Sequence, residues 1–182
     1  ARTRRSIIHF VSRDAMDIAG LGPSIIELLL DNDLIRDASD LYRLKDRREE
    51  LTGLERMGQK SVDNLLSSIE AAKTRGLARV ITALGIPFVG VRASTLLAQH
   101  FGSMDALQSA DAGDLTSVPE IGAIMAGSII TFFKQQQNRE FVERLKIAGV
   151  DMTAEKKDTS GPEPLGGMTF VLTGTLERYT RS

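Results

Sequence analysis

Four glycines recur at nearly constant spacing along this 182-residue chain, each within the same pattern of apolar residues. Gly22, Gly58, Gly90 and Gly122, here called the repeat glycines, are separated by 36, 32 and 32 residues. An apolar residue stands four positions before, one position before and seven positions after each glycine: Ile18, Leu21 and Leu29; Leu54, Met57 and Leu65; Ile86, Val89 and Leu97; Val118, Ile121 and Ile129. A fixed period of this length predicts one small structural unit that occurs four times.

Each unit is predicted to be a helix, a short hairpin turn and a second helix. Apolar residues follow the first repeat glycine at helical spacing, at Ile25, Leu28 and Leu29. The glycine would supply backbone freedom, or allow a close approach that a side chain would obstruct. The pattern therefore predicts an all-α fold, with turns near residues 18–24, 54–60, 86–92 and 118–124. The units are expected to pack as two pairs, each around a local twofold axis.

The start of each second helix is a candidate anion site. The first turn of a helix has unpaired N–H groups and the positive end of the helix dipole. Two positions after the repeat glycine stand Ser24, Lys60, Arg92 and Ile124. We therefore expect the second and third units to bind phosphate most strongly, the first to contribute backbone and a hydroxyl, and the fourth to be largely structural.

Composition limits the other functions that the chain could have. Its net charge is −1, so an anionic partner must be bound through local geometry and not through bulk charge. There is no cysteine, and neither His9 nor His100 lies in a set of residues with metal-ligand spacing. No nucleophile triad, paired acid and base or GxxxxGK phosphate loop is present. We expect no catalytic residue, no metal site and no membrane segment in this sequence.

Several segments together resemble one known family. AMDIAGLG, GLERMGQKS and ALGIPFVG are similar to the helix-hairpin-helix domain of bacterial NAD-dependent DNA ligases, and the spacing of all four hairpins matches that family's tandem array. HFVSRDAMDIAGLG resembles the segment that follows a four-cysteine zinc finger in those proteins. GGMTFVLTGTLERYTRS resembles the start of their BRCT domain. The chain also lacks an initial methionine, so a piece of a longer protein is expected.

The resemblance implies a non-catalytic, duplex-DNA-binding portion of a ligase that seals nicks in DNA replication and repair. The parent enzyme would use NAD, Mg²⁺ and a structural Zn²⁺ bound upstream, whereas this fragment would need no cofactor and would be inactive alone. Its partners would be nicked double-stranded DNA, contacted along the backbone on the minor-groove side, and the remaining domains of the ligase. The expected location is the bacterial cytoplasm, with activity at the nucleoid. The matching DNA-binding positions are Gly20, Gly22, Ser24, Gly58, Lys60, Gly90, Arg92 and Gly122.

The turns differ from one another at one position. Two residues before the repeat glycine stands Gly20 in the first unit, but Arg56, Phe88 and Glu120 in the others. This difference predicts that the turns do not all share one geometry, and Glu120 brings an anion near the fourth candidate site.

Contacts with the DNA backbone would be independent of base sequence. Neutralising two to four phosphates predicts a slope of about −2 to −4 in log affinity against log salt.

The predicted domains are residues 1–153 for the helical domain, 154–166 for a linker and 167–182 for the truncated BRCT start. The helices are expected at 4–12, 23–31, 39–45, 59–74, 77–84, 91–100, 103–109, 123–135 and 138–148. The helix at 77–84 has one apolar stripe, formed by Leu77, Val80, Ile81 and Leu84, and is therefore expected to bridge the two hairpin pairs. Ser39, Ser103 and Asn138 are candidate N-caps, and residues 150–152 a candidate short strand. The isolated strand of the truncated BRCT start would be held by the helical body or by another molecule through residues 168–173, as a result of truncation.

Two other functions fit the sequence. The chain could be the DNA-binding tail of a nuclease or a branch-migration protein, which also use paired helix-hairpin-helix units. It could instead be a helical protein-interaction module without affinity for DNA. Uncovered N–H groups at the hairpins would distinguish both DNA-binding interpretations from the interaction module.

Overall fold

The computed structural model describes residues 2–55 and 57–154, and these residues form a helical body. Its elements in chain order are α1 (Arg2–Val11), α2 (Pro23–Asp31), a 3₁₀ segment (Ala38–Arg47), α3 (Arg48–Thr52), α4 (Gln59–Ala72), α5 (Leu77–Leu84), α6 (Val91–Phe101), α7 (Met104–Ser109), α8 (Ala112–Thr116), α9 (Ala123–Lys134) and α10 (Gln136–Ile147). The only β pairing in these ranges is an isolated antiparallel bridge between Ser103 and Thr153. The prediction of an all-α fold is confirmed for the described residues.

The core repeats with the period of the sequence. At each repeat glycine, the residues one before, four after and seven after are all buried, and none is more than 8% exposed: Leu21, Ile26 and Leu29; Met57, Val62 and Leu65; Val89, Ser94 and Leu97; Ile121, Ala126 and Ile129. Positions four and seven residues into a helix lie on one face, so this face packs inward. The residues four before are buried in three units, whereas Leu54 is half-buried.

Several boundaries differ from the sequence prediction. The helices α3 and α8 were not predicted, and residues 38–47 form a 3₁₀ segment in place of the α-helix expected at 39–45. Ser103 caps α7 as predicted, since its hydroxyl accepts from the N–H of Ala106. The other two predicted caps are wrong: Asp37 caps the 3₁₀ segment, and α10 begins two residues before Asn138.

Residues after α10 pack on the body without forming a strand. Val150 and Met152 are buried, while the residues beside them are exposed. The N–H of Met104 donates to the carbonyl of Met152 at 3.1 Å, and that of Ala154 donates to Gly102 at 2.8 Å. The strand predicted at 150–152 is therefore reduced to the single bridge at Thr153. The predicted linker from 155 onward, the BRCT start and its contact through 168–173 lie outside the described residues.

Helix α5 joins the two halves of the body. Leu77, Val80 and Ile81 are fully buried, and α5 packs against both α1 and α6. The sequence predicted this bridging role from the apolar stripe of α5. His9 on α1 adds a hydrogen bond, because its Nε2 lies 2.7 Å from the carbonyl oxygen of Thr82.

Two arginines hold the segment that precedes the first turn. Arg75 donates from Nε to the carbonyl of Met16 at 3.0 Å and from Nη2 to that of Asp17 at 2.9 Å. Arg79 donates from Nη1 to the carbonyls of Arg13 at 2.7 Å and Ala15 at 2.9 Å. A hydrogen bond from a charged donor contributes about 1.5–3 kcal/mol. These two arginines therefore stabilise the fold. Their spacing in the sequence did not indicate this role.

The repeated core predicts a large difference between adjacent leucines of α6. Leu97→Ala should lower the free energy of unfolding by about 2–5 kcal/mol, because Leu97 is fully buried and its removal leaves a cavity. Leu96, half-buried on the same helix, is the matched control, and its change to alanine should cost less than half as much. Urea unfolding followed by circular dichroism measures both. Equal costs would contradict the assigned inward face.

Candidate nucleic-acid interface

The four repeat glycines occupy the same structural position. Each is the N-cap of a helix, with the extended backbone that an N-cap adopts. The helices are α2, α4, α6 and α9, and the φ and ψ angles of their caps are −74° and 170° at Gly22, −80° and 171° at Gly58, −96° and −166° at Gly90, and −94° and −179° at Gly122. Each glycine carbonyl accepts the first helical hydrogen bond, from the residue four positions later, at 2.9–3.0 Å.

These four helix starts have no side-chain cap, and among the described elements α3, α5 and α10 also lack one. The 3₁₀ segment, α7 and α8 have such a cap. Asp37, Ser103 and Asp111 each accept a hydrogen bond from the first turn of the helix that they precede. No such bond is present at the repeat glycines. The N–H groups there are left for a ligand or solvent, and the helix dipole makes their surroundings electropositive.

The protein itself does not require glycine at these positions. Their φ angles are negative, and a Cβ built on any of the four would meet no atom within 4 Å. The expectation that the repeat glycine supplies backbone freedom is therefore wrong. What glycine does achieve is to keep bulk and capping groups away from the N–H groups, which leaves them open to close approach from outside.

The residue with a positive φ angle lies two positions before the repeat glycine. There φ is 89° at Gly20, 71° at Phe88 and 74° at Glu120. Three chemically different residues thus adopt one conformation, so the prediction that the turns differ in geometry is wrong for these three units. The remaining residue of the set, Arg56, lies outside the described residues.

Lys60 and Arg92 hold equivalent positions in α4 and α6, yet their surroundings differ. Lys60 is exposed and forms no ion pair with any carboxylate in the described ranges. Arg92 binds Glu120 with both ends of its guanidinium, Nη2 to Oε2 at 2.7 Å and Nε to Oε1 at 3.3 Å. This hydrogen bond and charge lower the pKa of Glu120 and raise that of Arg92. An anion that reaches α6 must therefore compete with Glu120 for Arg92.

The third and fourth hairpins also meet on the opposite side. Phe88 and Ile124 line one shallow depression, and the hydroxyl of Ser128 donates to the carbonyl of Pro87 at 2.6 Å. Phe88 stands two before a repeat glycine and Ile124 two after one, the same relation as Glu120 to Arg92. Equivalent positions of the two hairpins thus lie near each other twice: the ionic pair is in direct contact, and the apolar pair lines one depression.

The first two hairpins also lie close together. A Cβ at Gly20 would lie 3.8 Å from Cδ1 of Leu65, so the first turn sits against α4. Ser24, two after the first repeat glycine, is exposed. All predicted site residues are thus found in the turns or in the first turns of the helices that follow them.

A cleft of about 720 Å³ lies elsewhere on the described surface. It has Arg5, His9, Arg36 and Arg144 among its lining residues. Of these, Arg144 is bound to Asp37 at 2.8 Å and His9 to α5. Within residues 2–55 and 57–154, no three histidine or acidic side chains are grouped as metal ligands would be. Nor does any helix in these ranges have the length and apolar character needed to cross a membrane.

Comparison with known proteins gives consistent results for both halves of the chain. A family described as a SAM-like helix-hairpin-helix tandem matches residues 12–71, and a family described as a helix-hairpin-helix motif matches residues 79–142. The full chain is 50% identical over 181 residues to a protein named DNA ligase from Symbiobacterium thermophilum, and 50% identical over 182 residues to one from Desulforudis audaxviator. A third DNA ligase, from a Thermoanaerobacter species, is 51% identical over 183 residues. The chain spans 27% of the length of each of these relatives.

The geometry of the repeat glycines predicts an unusual tolerance to substitution. Gly58→Ser should leave the free energy of unfolding unchanged or raise it by a few tenths of a kcal/mol, because serine is a good N-cap and space is open. Gly76→Ser is the control: its site is equally open but has φ of 106°, so the change should cost about 1–2 kcal/mol. Thermal and urea unfolding measure both, and an equal loss at Gly58 would show that the fold needs this glycine.

Proposed function

Since this chain is made of helix-hairpin-helix domains and matches a segment of DNA ligases over its whole length, we propose that it is the duplex-DNA-binding portion of such a ligase. It grips the phosphate backbone without reading the base sequence. The observation that carries this proposal is the set of four helix starts at the repeat glycines, where the cap has an extended backbone and the N–H groups of the first turn have no side-chain partner. In α2 these N–H groups begin at Ser24, because Pro23 has none. Helix N-termini of this kind bind phosphate through N–H groups and dipole together.

We further propose that the chain contains four helix-hairpin-helix units, packed as two pairs. The ion pair of Arg92 with Glu120, and the depression that Phe88 and Ile124 both line, support a twofold relation within the second pair. The packing of Gly20 against α4 supports a similar pairing of the first two units. Each pair would present two N-termini toward the same stretch of duplex, on its minor-groove side.

The whole protein would be an NAD-dependent enzyme that seals nicks during replication and repair in the bacterial cytoplasm. The adenylated lysine, the nucleotide site, Mg²⁺ and a structural Zn²⁺ would belong to its other domains. This chain would supply no catalytic residue and would be inactive alone, but it would help to hold a nicked duplex against the catalytic domain. The 50% identity to DNA ligases favours this function over a nuclease or branch-migration tail.

Lys60 provides the first test. Lys60→Ala should weaken binding to a nicked duplex about tenfold at low salt, since a charge-assisted contact is lost. The slope of log affinity against log salt should become less negative by about 0.9. Arg92→Ala should have a smaller effect, because Glu120 already neutralises Arg92 in the free protein.

The matched control is Lys134→Ala, which removes the same charge at the other end of α9, about 18 Å along the helix axis from Gly122. Fluorescence anisotropy of a labelled duplex across a salt series measures affinity and slope. If Lys60→Ala and Lys134→Ala behave alike, the hairpin site is refuted. If the unaltered chain shows no salt-dependent binding, the proposed function itself fails.

Glu120 provides a second test, in which the affinity for the duplex is expected to rise. Glu120→Gln should raise affinity for the duplex by about three- to tenfold at low salt, because it frees Arg92 and removes an anion near two helix N-termini. Glu140→Gln, an equal charge change on α10 beside the C-terminal end of α9, should leave affinity unchanged. The same titration measures both variants. A loss of affinity in Glu120→Gln would mean that the ion pair positions the hairpins for binding.

A further inference from the structure

Three large apolar side chains are exposed together at the third and fourth hairpins. Phe88 is 72% exposed, Ile124 75% and Val91 51%, and we call these three residues the apolar edge. Their exposure means that the core does not depend on them. Phe88 also has φ of 71°, an uncommon conformation for a bulky residue. A fold under no other demand would favour a small or polar residue at such a turn.

The apolar edge borders the two uncapped helix starts at Gly90 and Gly122. Val91 is the first residue of α6 and Ile124 the second of α9, so their own N–H groups belong to the candidate anion sites. Phe88 shares a depression with Ile124. A phosphate bound at either N-terminus would therefore have the apolar edge beside it. The groups attached to that phosphate would lie against hydrocarbon.

We propose that the apolar edge binds the deoxyribose rings that flank the phosphates held at α6 and α9. This inference rests on the proposed function and extends it from phosphate to the whole sugar–phosphate unit. The C–H groups of deoxyribose are a suitable partner for phenyl and aliphatic side chains, and burial of such surface is favourable. An inorganic polyanion without sugar rings, such as polyphosphate, lacks this match. The apolar edge thus distinguishes a nucleic acid strand from other polyanions.

The second pair of hairpins would then have two unlike sides. Arg92 and Glu120 occupy one side, and Phe88 and Ile124 occupy the equivalent positions on the other. The ionic side interacts with phosphate charge, and the apolar side with the sugars between phosphates. This assignment gives the fourth unit, which has Ile124 in place of a cation, a direct role in binding. The expectation from sequence that it is largely structural would then be wrong.

A second protein molecule fits this surface less well. Stable protein–protein interfaces bury about 800 Å² on each partner. Three side chains, of which only one is aromatic, provide far less, since even an aromatic side chain buries only about 150–250 Å². The neighbouring uncapped N–H groups would also need an acceptor, which a phosphodiester supplies.

The test compares duplex DNA with inorganic polyphosphate, a polyanion without sugar rings. Phe88→Ala and Ile124→Ala should each weaken binding of the full chain to a nicked duplex about five- to tenfold, with the salt slope unchanged, because apolar contacts release no counterions. Neither change should alter polyphosphate affinity, whereas Lys60→Ala should weaken binding to both ligands. Ile147→Ala, 79% exposed at the end of α10, is the matched control and should change neither.

A tryptophan reporter gives an independent readout. The chain contains no tryptophan, so in Phe88→Trp the emission comes from the apolar edge alone. Duplex should shift this emission to shorter wavelength, and polyphosphate should not. Circular dichroism melting of each variant checks that the fold is retained. If a variant unfolds, Phe88→Leu, which keeps an apolar side chain, should bind duplex like the unaltered chain.

Three results would overturn the inference. In the first, Phe88→Ala and Ile124→Ala bind duplex as tightly as the unaltered chain. In the second, they lose polyphosphate and duplex affinity in equal measure. In the third, sedimentation shows that the chain self-associates through the apolar edge and that Phe88→Ala abolishes this association. If the unaltered chain binds neither duplex nor polyphosphate, the proposed function fails and the inference fails with it. Loss of the Phe88 effect alone leaves phosphate binding intact.

Discussion

The inward packing of one helix face, repeated four times, determines where every candidate contact lies. The buried residues one before, four after and seven after each repeat glycine fix the rotation of the helix that follows. Once that face is turned inward, the N–H groups of the first turn point past the glycine toward solvent. Burial of a large aliphatic side chain contributes about 1.5–3 kcal/mol to stability. Each unit buries several such side chains. The position of the candidate interface is thus a by-product of the core.

The sequence predicted the parts of the structure that depend on this period. The repeat glycines, the apolar positions around them and the bridging helix α5 were all found by spacing alone. Short elements were missed, because α3 and α8 are each a single turn with no periodic stripe to detect. The cap of the 3₁₀ segment was misassigned because Asp37, Ser39 and Asp40 are all plausible caps. In the structure Asp37 accepts a hydrogen bond from the N–H of Ser39, and Arg144 donates to the side chains of both residues.

The site was harder to predict than the fold. Gly20 suggested that the turn needs glycine, but Phe88 and Glu120 adopt the same left-handed conformation. Local propensity is overridden here because the flanking residues, such as Ile86 and Val89, are locked into the core. The ion pair between Arg92 and Glu120 joins residues 28 positions apart, so only the folded chain reveals it. The role of each cation could likewise be read only from its place in the folded chain. Arg75 and Arg79, for example, donate to carbonyls of the segment before the first turn.

Hydrogen bonds between the two halves of the body affect how the four candidate contacts combine in the total affinity for DNA. Arg75, Arg79 and His9 connect α1 and the segment after it to α5 and to the end of α4. No flexible linker separates the first two hairpins from the last two, so all four would meet a duplex as parts of one body. Once one hairpin is engaged, the others are already at high effective concentration, and each further contact becomes an intramolecular step. Modest individual affinities would multiply into useful avidity, provided that the curvature of the duplex matches the fixed spacing of the hairpins.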